Sequence, residues 1–162
     1  MKNYILSKQS VYKLVKKLKN EAKKIVFING CFDLLHIGHI SLLNKAKKLG
    51  DVLVVAIYSD EILNCVKGFS RPIVNELERA KVLIALKPVD YVVIFNEQTP
   101  KNILSKLRPD VLVTGSNYKL SEIIGREFAK VIYRFPFIPE KSTTNLINTI
   151  IKRHQDNLID II

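Results

Sequence analysis

The chain contains no tryptophan, a single methionine and only two cysteines, Cys31 and Cys65. Two thiols 34 positions apart supply neither a metal framework nor a disulfide scaffold, so both read as free. No apolar run approaches the roughly 18–20 residues that cross a bilayer, and no membrane association is expected. The opening Met1-Lys2-Asn3-Tyr4-Ile5-Leu6-Ser7-Lys8 lacks the apolar core of a secretory signal, which makes a cytoplasmic protein the expectation. Internal repeats, low-complexity linkers and breaks in composition are also missing. Acidic residues are scarce, 15 against 26 lysines and arginines.

What remains is 162 residues, 48% of them apolar, which suits one domain around one packed interior. The net charge of +11 admits a nucleic acid or a polyanionic small substrate as partner. Much of the excess is local, because residues 1–24 hold eight lysines against Glu21 alone. Val11, Leu14, Val15 and Leu18 share one helical face there, with lysines elsewhere, so the segment reads as a basic helix with a solvated face. Aromatics interleaved with basic residues are not evident, and no nucleic-acid partner is expected.

The remainder alternates strand and helix. Apolar runs at Ile25 to Ile28, Val52 to Tyr58, Tyr91 to Phe95, Val111 to Val113 and, more weakly, Val131 to Tyr133 predict five strands covered on both faces. Helical spacing carries Ile40 to Leu49, which stops at Gly50. Asn75-Glu76-Leu77-Glu78 resembles a capping box, Thr99-Pro100 reads as an N-cap with proline at the first helical position, and Ser142 or Thr143 caps a last helix. The expectation is an α/β fold with a single doubly wound, Rossmann-like parallel sheet. Residues 25–151 form the core, flanked by the basic helix of 1–24 and a tail over 152–162. Ligands of such sheets bind beyond the carboxyl ends of the strands.

The strongest chemical signal lies there: Asn29-Gly30-Cys31-Phe32-Asp33-Leu34-Leu35-His36-Ile37-Gly38-His39, running from the first strong strand into a helix N-terminus. Such termini bind phosphate through free N–H groups and the helix dipole. Gly30 and Gly38 allow close backbone approach. His36 and His39 stand three apart, placing both rings on one side of the first turn. The chain has only three histidines, and two are in this loop.

This segment resembles the His-x-Gly-His motif of the nucleotidyltransferase superfamily, in its cytidylyltransferase-like branch. The stretch Phe27 to Asp60 is similar to the bacterial heptose-phosphate adenylyltransferases and the glycerol-3-phosphate cytidylyltransferases. Lys67-Gly68-Phe69-Ser70-Arg71-Pro72-Ile73, Glu78-Arg79, Val89-Asp90, Arg108-Pro109-Asp110 and Ser142-Thr143-Thr144-Asn145 resemble the heptose enzymes more. The resemblance implies that His36 and His39 grip the NTP phosphates and that Lys67 neutralises charge on them. It implies further that Gly30, Cys31, Phe32, Gly38, Asn117, Ser142, Thr143 and Thr144 bind the nucleotide. Arg71 is placed to reach the acceptor's phosphate, with Asp33 and Arg79 beside it. Asp33 reads equally well as a hydrogen-bonder of its own loop. The chain departs from the heptose pattern at Thr114-Gly115-Ser116-Asn117-Tyr118, where Lys-Gly-Gly-Asp-Tyr is usual. A sugar kinase domain, often fused to the heptose enzymes, has no room in this length.

The implied reaction is transfer of AMP from ATP to a phosphorylated sugar, heptose 1-phosphate, with release of pyrophosphate. A phosphate acceptor is already an anionic nucleophile and needs no strong general base. The work lies in holding two polyanions together and stabilising charge at the α-phosphorus. Mg²⁺ is expected to arrive with the NTP, and no metal site built from protein ligands is expected. A homodimer is expected, since the apolar run Asn157-Leu158-Ile159-Asp160-Ile161-Ile162 suits burial against a second copy. The alternatives are a cytidylyltransferase making a CDP-polyol, a nucleic-acid-binding module, and a fragment of an aminoacyl-tRNA synthetase, whose motif His36-Ile37-Gly38-His39 spells literally.

Overall fold

A computed structural model of the protein describes residues 4–6, 8–116, 118–136 and 141–156. Six parallel strands form one sheet: β1 (Tyr4–Leu6), β2 (Ile25–Gly30), β3 (Val52–Tyr58), β4 (Tyr91–Phe95), β5 (Val111–Gly115) and β6 (Val131–Phe135). Their order is β1-β4-β3-β2-β5-β6. The helices are α1 (Lys8–Asn20), α2 (Ile37–Lys47), α3 (Asp60–Lys67), α4 (Glu76–Ile84), α5 (Lys101–Leu107) and α6 (Thr143–Gln155).

The central strands are continuous apolar runs because both of their faces are covered. On one face Val11, Val15 and Leu18 of α1 and Ile103, Leu104 and Leu107 of α5 pack on Phe27, Val54 and Val93. On the other, Leu43 and Ala46 of α2 and Ala80 and Leu83 of α4 pack on Val26, Val55 and Val92. The doubly wound parallel sheet expected from the alternation is therefore present. Its winding reverses between β2 and β5, which pair with Val26 opposite Val111. A crevice opens at such a reversal, beyond the carboxyl ends of the strands.

Three details differ from the sequence expectation. The sheet has a sixth strand, β1, where residues 1–24 read as helix alone. Tyr-Ile-Leu is too short to show a period, and only its pairing with Tyr91–Val93 of β4 makes it a strand. Pro100 itself takes the N-cap position of α5, with no side-chain cap bond, so Thr99 is not the cap. Helix α6 runs on to Gln155, into the segment expected to be tail, while the rest of that tail lies outside the described residues. Asn75 and Ser142 cap α4 and α6, accepting from the N–H groups of Glu78 and Asn145, so the N-cap half of the box expected at α4 is present.

Candidate active site

Strand β2 delivers the chain to Gly30, and the loop that follows turns sharply at Phe32, whose φ is +45°. Left-handed backbone is costly for a phenylalanine and persists only where packing fixes it. Here the buried ring lies under Gly30, where a Cβ would stand 3.0 Å from it, and 5.2 Å from the His39 ring centroid. Phe32, expected to contact nucleotide, thus packs inward and supports the loop.

His36 is the N-cap of α2 and His39 its third residue, so the two rings meet, with centroids 3.9 Å apart. The Gly38 N–H donates to His36 Nδ1 at 3.2 Å, and the His36 N–H donates to His39 Nδ1 at 3.4 Å. A ring whose Nδ1 accepts carries its proton on Nε2, so both imidazoles are neutral donors through Nε2. Gly38 is required for this arrangement, because a Cβ there would lie 2.9 Å from the His36 ring.

Burial lowers the pKa of both rings. His36 is lowered further by the charge of Lys141, and His39 is brought down to about 4 by burial and then by His36. A bound polyphosphate supplies the opposite charge and raises both values. In its absence the unfolded chain takes a proton on His39 near pH 6.5, while the folded one refuses it until about pH 4. Stability is therefore complete above pH 6.5 and is lost as the pH falls from 6.5 toward 4, by about 3 kcal/mol for this one group. Urea unfolding at pH 7.5 and pH 4.5 measures the loss. His39→Asn, which does not titrate, is expected to shrink the difference by most of that amount. An equal acid loss in the variant would show that His39 is not the group responsible.

Facing the histidine loop are the end of α3, the loop after it and the start of α6. Cys31, Asp33, Lys67, Ser70, Arg71, Thr143 and Thr144 line one hollow of about 410 Å³. Arg71 Nη1 bonds Asp33 at 3.2 Å, and its Nη2 lies 3.5 Å from Thr144 Oγ1. Thr143 Oγ1 donates to the Leu34 carbonyl, which ties α6 to the histidine loop. Ser142 spends its hydroxyl on capping α6. Lys67 is the exposed last residue of α3. The Cys31 thiol is pushed up by burial, against the lowering charges of Lys67 and Arg79, so it stays protonated at neutral pH and is no nucleophile.

Two expected substrate contacts are structural instead. The Asp33 carboxylate is 6% exposed and accepts the N–H groups of Ile73 and Val74 besides holding Arg71. It positions Arg71 at the edge of the hollow. Arg79 has a fully buried side chain whose guanidinium donates to the carbonyls of Val74, Cys31 and Tyr58 and to Asp60 Oδ1. A charge so enclosed is tolerable only because each of its three nitrogens meets an acceptor. Asn117 lies outside the described residues.

The structure adds residues that motif reading missed. Asn29, Tyr58, Thr114, Tyr118 and Glu122 line a second hollow of about 280 Å³, which includes Gly30 and shares Cys31 and Lys67 with the first. Burial raises the pKa of the Tyr58 phenol, as do Cys31 and Tyr118, against a hydrogen bond with Asn29. Asn29 and Tyr58 end β2 and β3, so the rule that ligands gather at strand ends was the available signal.

Among the described residues no group of three or more His, Cys, Asp or Glu side chains gathers to hold a metal ion. The hollow instead presents ammonium, guanidinium and hydroxyl groups from Lys67, Arg71, Ser70, Thr143 and Thr144. That donor set suits a Mg²⁺ carried in on nucleotide phosphates, since the cation needs oxygen ligands that the nucleotide itself provides.

This geometry is that of a doubly wound α/β domain with a basic, hydroxyl-lined hollow at the carboxyl ends of its strands. The chain belongs to the cytidylyltransferase-like family, whose model matches residues 27–154. It is 49% identical over 144 residues to the bifunctional protein HldE of Helicobacter pylori (strain HPAG1), covering 89% of this chain and 31% of that one. It is 43% identical over 155 residues to the bifunctional protein HldE of Aliarcobacter butzleri (strain RM4018), covering 96% and 32%. The chain thus spans about a third of the length of these relatives. Among solved structures, the lipopolysaccharide core biosynthesis protein from Thermoplasma volcanium GSS1 superimposes with a TM-score of 0.59 at 27% identity, covering 72% of this chain and 99% of that one. A pantoate-β-alanine ligase from Francisella tularensis, at a TM-score of 0.65 and 18% identity over 98% of this chain and 80% of that one, shares the fold.

Proposed function

We propose that this protein transfers AMP from ATP to heptose 1-phosphate, giving ADP-heptose and pyrophosphate. The carrying observation is the pair of imidazoles at the α2 N-terminus, at the end of the same loop whose Cys31 and Asp33 line a hollow with Lys67, Arg71, Thr143 and Thr144. An acceptor phosphate oxygen attacks the α-phosphorus, the new P–O bond forms, and the bond to the β-phosphate's bridging oxygen breaks. The electrons leave on pyrophosphate. His36 and His39 donate to the departing phosphates, Lys67 neutralises the developing charge, and Arg71 orients the acceptor. The identity to the HldE proteins supports the heptose acceptor. The second hollow supports a polyol, because Asn29, Thr114, Tyr58 and Tyr118 add neutral hydrogen-bonding groups beside Lys67 and Glu122.

A Mg²⁺ on the nucleotide, a homodimer and a cytoplasmic location belong to the same reading. The apolar run that motivates the dimer, residues 157–162, lies outside the described residues. Among those described, no helix is long and apolar enough to cross a membrane.

A matrix of NTPs against sugar and polyol phosphates, scored by pyrophosphate release, tests the proposal. ATP with heptose 1-phosphate is the expected best pair, at least tenfold above CTP with any acceptor. The reverse order, CTP tenfold ahead, moves the protein to the CDP-polyol class and leaves the phosphate contacts as described.

A further inference from the structure

The opposite pole of the sheet carries its own concentration of charge. A hollow of about 640 Å³ opens there, lined by Lys19, Lys23, Lys24, Arg108 and Lys130, with Asp110 and Glu127 as its only acids. Three connections build it: Ala22–Lys24 leads into β2, Arg108–Asp110 into β5 and Phe128–Lys130 into β6. It therefore lies at the amino ends of those strands, away from the histidine pair. Ala22 and Arg108 are left-handed, with φ of +52° and +44°, and turn the chain where α1 and α5 end. Those turns bring basic residues of distant segments around one opening.

The two acids are already engaged. Asp110 accepts the Ile25 N–H at 2.8 Å and Lys130 Nζ at 2.7 Å, and Glu127 pairs with Lys101 at 3.7 Å. Among the described residues Lys19, Lys23, Lys24 and Arg108 have no carboxylate within ion-pair distance. Lysines at helix C-termini complement the dipole, and that accounts for one or two cations per helix end. It does not account for Lys23 and Lys24, which lie beyond the end of α1 on the connection into β2 and meet Lys19 and Arg108 around a concave wall with Phe128 and Ala129 in its lining.

We propose that this hollow is a second anion site, which binds a small molecule carrying two phosphate groups, such as a sugar bisphosphate. Its volume falls in the range of small-ligand pockets. It is too small for a nucleic-acid duplex, and a single half-buried aromatic, Phe128, gives no stacking track for a single strand. Cations on separate connections suit separated phosphates better than one.

Titration calorimetry tests this with fructose 1,6-bisphosphate as probe, in the presence of a saturating non-hydrolysable ATP analogue to occupy the nucleotide site. Saturable one-to-one binding that weakens with salt is expected. The double variant Lys23→Glu/Arg108→Glu should weaken it at least tenfold, and Lys23→Gln/Arg108→Gln by less. Both pairs are exposed, and their melting temperatures should match the wild type. Lys13→Glu/Lys16→Glu, on α1 like Lys19 but outside the hollow, should leave binding unchanged. An absence of saturable binding overturns the proposal. So does an equal loss in the Lys13/Lys16 control, which would mean diffuse attraction. A single-stranded RNA oligonucleotide that displaces the bisphosphate and binds more tightly would also overturn it.

Discussion

Alanine at His39 lowers turnover about a hundredfold or more at saturating nucleotide while leaving the unfolding midpoint near neutral pH almost unchanged. Alanine at His36 does the same to turnover. Removal of one preorganised donor aimed at developing charge typically costs that much. Both rings present Nε2–H because backbone N–H groups occupy their Nδ1 atoms, so neither has to reorganise when charge develops on the phosphates. The effect falls on kcat more than on KM, since the interaction strengthens as pyrophosphate departs. His36 also caps α2, so His36→Ala carries an additional loss of about 1 kcal/mol in stability. His36→Asn restores the cap without restoring turnover. Rapid-quench or coupled pyrophosphate assays on the purified variants measure it, and near-normal rates in both alanine variants would refute the assigned role.

The largest stability effect is expected at Arg79. Its side chain is wholly buried and satisfies three carbonyls and the Asp60 carboxylate. Arg79→Met fills much of the volume but strands those acceptors, at a cost of about 3–5 kcal/mol. Arg79→Lys recovers little, because a point ammonium does not reach acceptors spread around a planar fork. Denaturant unfolding gives the value directly. A loss under 1 kcal/mol in Arg79→Met would show that water or rearranged backbone satisfies the freed groups. Because the Cys31 carbonyl is one of the partners, the same variant is expected to loosen the histidine loop and raise KM for nucleotide.

The sheet was legible because its central strands are buried on both faces and write themselves as unbroken apolar runs. Strand β1 was not, since three residues show no period and their partner stands at Tyr91–Val93. The histidine pair was legible from spacing and from position after a strand, and the structure confirms that the rings meet. The role of Arg79 was not legible, and for Asp33 the sequence left a structural and a substrate role equally open. A charged residue near a motif reads the same in sequence whether it faces a ligand or a set of backbone groups. Only burial and the direction of its hydrogen bonds separate the two, as the Ile73 and Val74 N–H groups do for Asp33. Tyr58 and Asn29 were missed because single polar residues ending apolar strands carry no spacing signal.

The place of β1 at the outer edge of β4 has a consequence for how the chain is made. Strands β2 and β3 are neighbours in sequence and in the sheet, so they pair as soon as both have left the ribosome. Tyr4–Leu6 must wait for Tyr91–Val93, which at ordinary rates of chain elongation means on the order of ten seconds. During that interval the edge for which β1 is destined does not yet exist. A Tyr-Ile-Leu segment followed by the amphipathic α1 then stands exposed to chaperones and to other nascent chains. Synonymous codons that slow translation between residues 25 and 90 lengthen that exposure, and they are expected to lower the yield of folded protein without changing one amino acid.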